Sequence, residues 1–250
     1  GQGENVVIEL DVAEVLDEAE DTSFVSATER EFVDSNITFI DRFVDWVDTR
    51  SPLSDKRLRR TSAFMLLSNV FGDKGYIIPQ FGPVWPNLWI ISIGETSTSK
   101  KTTIMNLHNE VLKACEANGI DNPFLTNSFS QEALNKALGE RDGLLSLVVQ
   151  DEIQGKFQEW NTKQYLTGIK DFLNGLYNGH VETAIRQNKD SGQSKKGVRT
   201  VFNFYAMGTP REIGNALTIE DFQSGFLMRW LIGYADKATL VKEENRLKLR

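Results

Sequence analysis

The chain has 250 residues, 40% apolar and 25% charged, with a net charge of −7 and a sequence pI near 5.1. That length and composition suit one large α/β domain, or a core with a small helical appendage, able to bury a full hydrophobic core without staples. One cysteine, Cys115, excludes an internal disulfide, and no apolar run approaches the roughly 20 residues that cross a bilayer, so a cytoplasmic protein with no membrane partner is expected.

In chain order, residues 6–21 form an acidic leader (Glu9, Asp11, Glu14, Asp17, Glu18, Glu20, Asp21). Residues 29–47 place Phe32, Ile37, Phe39, Ile40, Phe43, Val44 and Val47 at roughly helical spacing, which predicts an amphipathic helix or helix pair stopped by Pro52. Residues 55–71 predict a second helix ending at Gly72. The period then changes. Residues 88–93 are a short continuous apolar run, the pattern of a strand covered on both faces, followed by a Gly/Ser/Thr loop and a helix over 102–117. Residues 144–149 predict another buried strand, 165–177 a helix, and 201–207 and 227–234 two further strands. Strands alternating with helices predict βαβ units and a covered parallel sheet. The expected organisation is a leader and helical lead-in over 1–80, a core over 81–236, and a charged tail over 237–250 that reads as a helix continuing into a longer protein.

The loop between the first strand and its helix reads Gly94-Glu95-Thr96-Ser97-Thr98-Ser99-Lys100-Lys101-Thr102-Thr103. A phosphate loop needs small residues whose N–H groups curl around phosphate oxygens. It also needs a lysine for the β and γ phosphates and a hydroxyl at the helix start for magnesium, all beside the positive end of a helix. Counting forward from Gly94 makes Lys100 that lysine. Counting back from the Lys-Thr pair makes it Lys101, with Thr102 as magnesium ligand and Glu95 in the first glycine's place. The second register is favoured, because the hydroxyl must directly follow the lysine to face the same phosphates. A Ser/Thr-rich turn capping an ordinary helix is the plainer alternative.

The strand over 144–149 ends in Gln150-Asp151-Glu152. In phosphate-loop machines the aspartate of such a pair holds magnesium and the glutamate polarises the attacking water, whereas a solvated acidic turn is the bland alternative. The strand over 201–207 ends at Gly208-Thr209-Pro210, where Thr209 is placed either to sense a γ-phosphate or to cap a helix. Arg229 stands within an apolar segment, as an arginine finger for a neighbouring subunit or as partner of Asp221 or Glu220. The polar segment 186–199, with Lys189, Lys195, Lys196 and Arg199, is either a loop that tracks single-stranded DNA or a solvated loop. His108 and His180 lack metal-ligand spacing, and Cys115 is expected in the core of a helix.

Taken in order, Pro86-Asn87-Leu88-Trp89, the loop, Asp151-Glu152, the run from Leu173 through Gly179, Gly208-Thr209-Pro210 and the run from Ser224 through Trp230 resemble a phage- and plasmid-type family of P-loop ATPases. That family is associated with primases and is similar to replicative helicase motors. The resemblance spans residues 36–236. It implies a RecA/AAA-like sheet, ATP and magnesium, a ring, expected as a hexamer, and single-stranded DNA as track. It also implies Lys101 and Thr102 as the loop pair, Asp151 and Glu152 as the acidic pair, and Arg229 acting in trans. Members carry Gly-Lys-Ser/Thr where this chain has Ser99-Lys100-Lys101-Thr102. The expectation is therefore the ATP-driven motor of a primase-associated helicase, with a primase or origin-binding part beyond the sequence. The alternatives are a nucleotide-dependent switch, such as a helicase loader or assembly ATPase, and a degenerate phosphate-loop scaffold without nucleotide affinity.

Overall fold

A computed structural model describes residues 37–72, 74, 84–95, 99–141, 144–166, 168–178 and 200–235. The acidic leader, the basic segment with Lys189, Lys195, Lys196 and Arg199, His180, and the charged tail over 237–250 lie outside the described residues.

Two helices lead the described chain. α1 (Phe39–Arg50) starts at Thr38, whose hydroxyl and backbone exchange hydrogen bonds with Asp41 in a capping box, and ends before Pro52. α2 (Lys56–Phe71) starts on Asp55, whose carboxylate accepts from Arg57 N and Leu58 N, and stops at Gly72. At Gly72 a Cβ would sit 2.5 Å from the Ser68 carbonyl oxygen and 2.4 Å from Leu145, so only glycine fits there. Arg59 pins the corner between the helices: buried, it reaches Asp48 at 2.6 Å and Ser54 Oγ at 2.8 Å.

β1 (Trp89–Ile93) then opens the sheet and α3 (Lys101–Glu116) follows it. α4 (Gln131–Glu140) and β2 (Ser146–Gln150) come next, then α5 (Ile153–Thr162) and α6 (Ile169–Tyr177). β3 (Phe202–Gly208) leads into two short helices, α7 (Pro210–Ala216) and α8 (Ile219–Gln223), and β4 (Trp230–Tyr234) closes the fold. The four strands are parallel throughout, in the order β2-β3-β1-β4.

The sheet is covered on both faces, as a parallel sheet requires. Alternation along each strand sorts the side chains. Trp89, Ile91, Val148, Phe202, Phe204 and Trp230 pack with α4, α5, α6 and α7 on one face. On the other, Ile90, Leu147, Tyr205 and Met207 pack with α1, α2 and α3. The helical lead-in thus shares a core with the sheet. The first face is rich in aromatic rings centred on Trp89, which meets Tyr177, Phe202, Phe204, Phe226 and Trp230, while its Nε1 donates to the Phe202 carbonyl.

Several expectations are corrected in detail. The helix expected over 165–177 is broken at Gly168, which takes a left-handed φ of 86°, so a short 3-10 turn (Gln164–Leu166) precedes α6. Over 227–234, the first three residues form a 3-10 turn and only Trp230–Tyr234 is strand. Cys115 is partly exposed on α3 rather than in the core. α4 and α5, unforeseen in the sequence, supply Leu134, Leu138, Ile153, Phe157 and Trp160 to the first face. No helix among the described residues is long and apolar enough to cross a membrane.

Candidate functional site

Parallel strands deliver all their C-terminal ends to one edge, and ligands of open α/β sheets sit outside that edge. Here it carries Gly94 after β1, Asp151-Glu152 after β2 and Thr209 after β3. Ile93 is level with Gly208, and Gln150 with Ala206, so the loop and the acidic pair stand on either side of the β3 tip. Two strand spacings put them about 10 Å apart, room for a phosphate chain and a cation.

Thr96, Ser97 and Thr98 lie outside the described residues, but both ends of the loop are defined. Gly94 N donates to the Gly208 carbonyl at 3.2 Å, tying the loop to β3. Ser99 folds back over this point, its N and Oγ both bonding the Glu95 carbonyl. A Cβ on Gly94 would fall 2.4 Å from Ser99 Cβ and 3.2 Å from Ala235 Cβ, so the turn closes only around glycine. The two lysines diverge. Lys100 is exposed, at φ 54°, and makes no side-chain cap. Lys101 is buried, with Nζ donating to the Gly94 carbonyl at 3.1 Å, so its ammonium spans the loop from end to end. Thr102 and Thr103 are exposed on the first turn of α3.

The acidic pair is also exposed. Asp151 is fixed by two local bonds: Gln150 Nε2 donates to its carbonyl, and Glu152 N donates to its Oδ1 at 3.1 Å. Glu152 takes φ 54° and ψ 59° as it enters α5. Among the described residues Lys100 and Glu152 are the two non-glycine residues with positive φ. Each such conformation costs of order 1 kcal/mol or more in an L residue and persists where surroundings enforce it, often at binding sites. Both occur at this one edge of the sheet.

Thr209 occupies the N-cap position of α7, yet its hydroxyl makes no capping bond, and Oγ1 is buried without any partner. The capping role open to it on sequence is therefore not the one its side chain fills. Gln154, on the first turn of α5, also holds a buried, unpartnered Oε1. Sequence reasoning missed Gln154, since only the fold shows its carboxamide oxygen buried against the β3 tip.

Arg229 stands at the opposite end of the sheet. It directly precedes β4, whose Trp230 is level with Trp89 and whose Tyr234 is level with Ile93. A five-residue strand separates it from its own loop by roughly 17 Å. Its NH1 donates to the Gly225 carbonyl at 2.6 Å, and the guanidinium lies 5.9 Å from the Tyr177 ring centre. Asp221, one of the two acids offered as its alternative partner, is paired with Lys170 instead, inside a second capping box with Thr218.

His108, on α3, is fully buried and held by Asn69 and Asn109. Asn69 Oδ1 accepts from Asn203, so its Nδ2 donates to His108 Nε2, and the ring's proton resides on Nδ1. Burial pushes its pKa down to about 4, so the ring is neutral.

No protein-family model matches the chain, and a search of curated proteins returns no match.

Proposed function

We propose that the chain is a RecA/AAA-like P-loop ATPase, the motor domain of a primase-associated replicative DNA helicase that works with ATP and magnesium. The observation that carries this reading is the arrangement at one sheet edge: a loop closed by Lys101 after β1, and an Asp-Glu pair after β2. A strand between them ends in an unpartnered hydroxyl.

The residues fit a nucleoside triphosphate. Gly94 leaves the loop without a side chain at its base, and Lys101 neutralises phosphate charge once its ammonium exchanges a backbone carbonyl for phosphate oxygens. The left-handed residue before Lys101 stands where the standard motif has its second glycine, which supports the register with Lys101 as the phosphate lysine. Thr102 and Asp151 are the residues that would hold magnesium, which supplies charge neutralisation at the phosphates when bound. Glu152, exposed and unpaired among the described residues, takes the proton of the attacking water, and Thr209 donates to the terminal phosphate.

Arg229 is too far from its own loop to serve it, so it completes a neighbour's site in a ring of copies. Single-stranded DNA is the track, with Lys189, Lys195, Lys196 and Arg199 as its backbone contacts. The test is ATP turnover by the wild type, Lys101→Ala and Glu152→Gln, each with and without single-stranded DNA. Turnover that DNA accelerates and both substitutions abolish is expected. Turnover indifferent to DNA would replace the motor with a loader-like switch.

A further inference from the structure

Three buried polar atoms without partners gather at the strand tips: Gln150 Oε1, Gln154 Oε1 and Thr209 Oγ1. Asn135 and Asn174 have unpartnered oxygens too, but each stands alone on its helix. Of the three, Gln154 has no role in the chemistry described above. It lies two residues after Glu152, on the first turn of α5. Its carboxamide rests on the end of β3, because a Cβ added to Gly208 would come within 2.9 Å of Gln154 Oε1. The Gly208 carbonyl is the acceptor of Gly94 N, and Thr209 is the next residue. Gln154 therefore sits where the acidic strand, the β3 tip and the phosphate loop meet.

A buried polar atom with no partner weakens a fold, and native proteins rarely keep one without a use. The Gln154 carboxamide makes no hydrogen bond among the described residues. A carboxamide offers a donor at one end and an acceptor at the other, and half a turn about its last bond exchanges them. With the amide turned so that Nε2 faces the strand tips, an anionic oxygen there would accept from it and from the Thr209 hydroxyl as well. In a nucleotide whose β-phosphate is held by Lys101, the group that reaches beyond the loop toward the acidic pair is the terminal phosphate. A diphosphate lacks it.

We propose that Gln154 is a specificity-determining residue that distinguishes nucleoside triphosphate from diphosphate: its Nε2 donates to a terminal phosphate oxygen beside the Thr209 hydroxyl. The proposal rests on the ATP-binding reading above. Hydrogen bonds to a charged acceptor are the strong class, so their loss weakens the triphosphate complex while a diphosphate, which never makes them, is unaffected.

The test is equilibrium binding of magnesium β,γ-imido-ATP and of magnesium ADP to wild type, Gln154→Leu and Gln154→Met, with thermal melting to establish folding. Leucine and methionine both fill the space over Gly208 without a polar end, so one serves if the other does not fold. The expected result is triphosphate affinity reduced about tenfold or more in the folded variant, with ADP affinity kept within about twofold. Wild type that binds both nucleotides, with variants that shift both equally or neither, would overturn the role of Gln154 and leave the ATP reading intact. Wild type that binds neither nucleotide would overturn both.

Discussion

Two buried polar regions among the described residues differ in whether their groups are satisfied. Toward the start of the strands, Asn203 Oδ1 accepts from Leu88 N while its Nδ2 donates to Ser68 Oγ and Asn69 Oδ1. Ser68 Oγ donates to the Pro86 carbonyl, and Asn69 holds His108. Both ends of the Asn203 and Asn69 amides, the Ser68 hydroxyl and both ring nitrogens of His108 have partners. This network ties α2, α3, β3 and the segment before β1 into one unit. At the strand ends the pattern reverses: Gln150, Gln154 and Thr209 have buried atoms with no partner, and Lys100 and Glu152 hold left-handed backbone. The first region is polar in order to fix the structure. The second keeps polar capacity that the chain itself does not use, as a ligand site does.

Apolar substitution at the two ends should therefore have opposite consequences. The largest effect on stability is expected for Asn203→Leu, which strands Leu88 N and Asn69 Oδ1. A loss of about 3 kcal/mol follows from one buried and one part-buried unsatisfied group, read as a lower denaturant midpoint. A midpoint within about 1 kcal/mol of wild type would mean that the network is not structural.

His108 sharpens the same contrast through pH. Its folded pKa is about 4 and its ordinary value 6.5, so the unfolded chain binds the proton more readily. The sign follows: the neutral ring's contribution is fully present above pH 6.5 and is lost as pH falls toward 4, by roughly 3 kcal/mol at most. Unfolding free energy measured across that window should fall for wild type, with the His108 part of the fall absent in His108→Gln.

Thr209→Val probes the other end. Removing a hydroxyl that bonds nothing should change stability by less than about 1 kcal/mol, yet lower ATP turnover about tenfold or more. A large loss of stability would place Thr209 with the structural region instead. The smallest effect is expected for Lys100→Gly. Glycine adopts φ 54° without strain, at the cost of greater freedom in the unfolded chain, so thermal melting should show a gain of about 0.5 kcal/mol.

Legibility in the sequence followed the same division. The apolar run through Trp89 and Ile93 announced a doubly covered strand, and Asp55 and Gly72 marked the ends of α2 because a cap and a stop are written in residue types. α5 was missed although Ile153, Phe157 and Trp160 lie on one helical face: it begins on a left-handed glutamate with no side-chain cap, so its start signal is absent. α4 buries only Leu134 and Leu138, too few to stand out as a periodic pattern. At the candidate site, the loop and the acidic pair were legible as strings of residues. The choice between Lys100 and Lys101 rested only on the hydroxyl that follows. Folding adds that one lysine is exposed in a left-handed conformation while the other turns into the loop. Gln154 was illegible, because its placement depends on β3 lying between β1 and β2.

The most direct test of the central claim is equilibrium binding of magnesium ATP to wild type, Lys101→Ala and Lys100→Ala, with folding established by melting. The account predicts that wild type and Lys100→Ala bind comparably while Lys101→Ala loses affinity about a hundredfold. Loss in Lys100→Ala with affinity retained in Lys101→Ala would contradict the loop geometry, and no binding by folded wild type would contradict the nucleotide site itself.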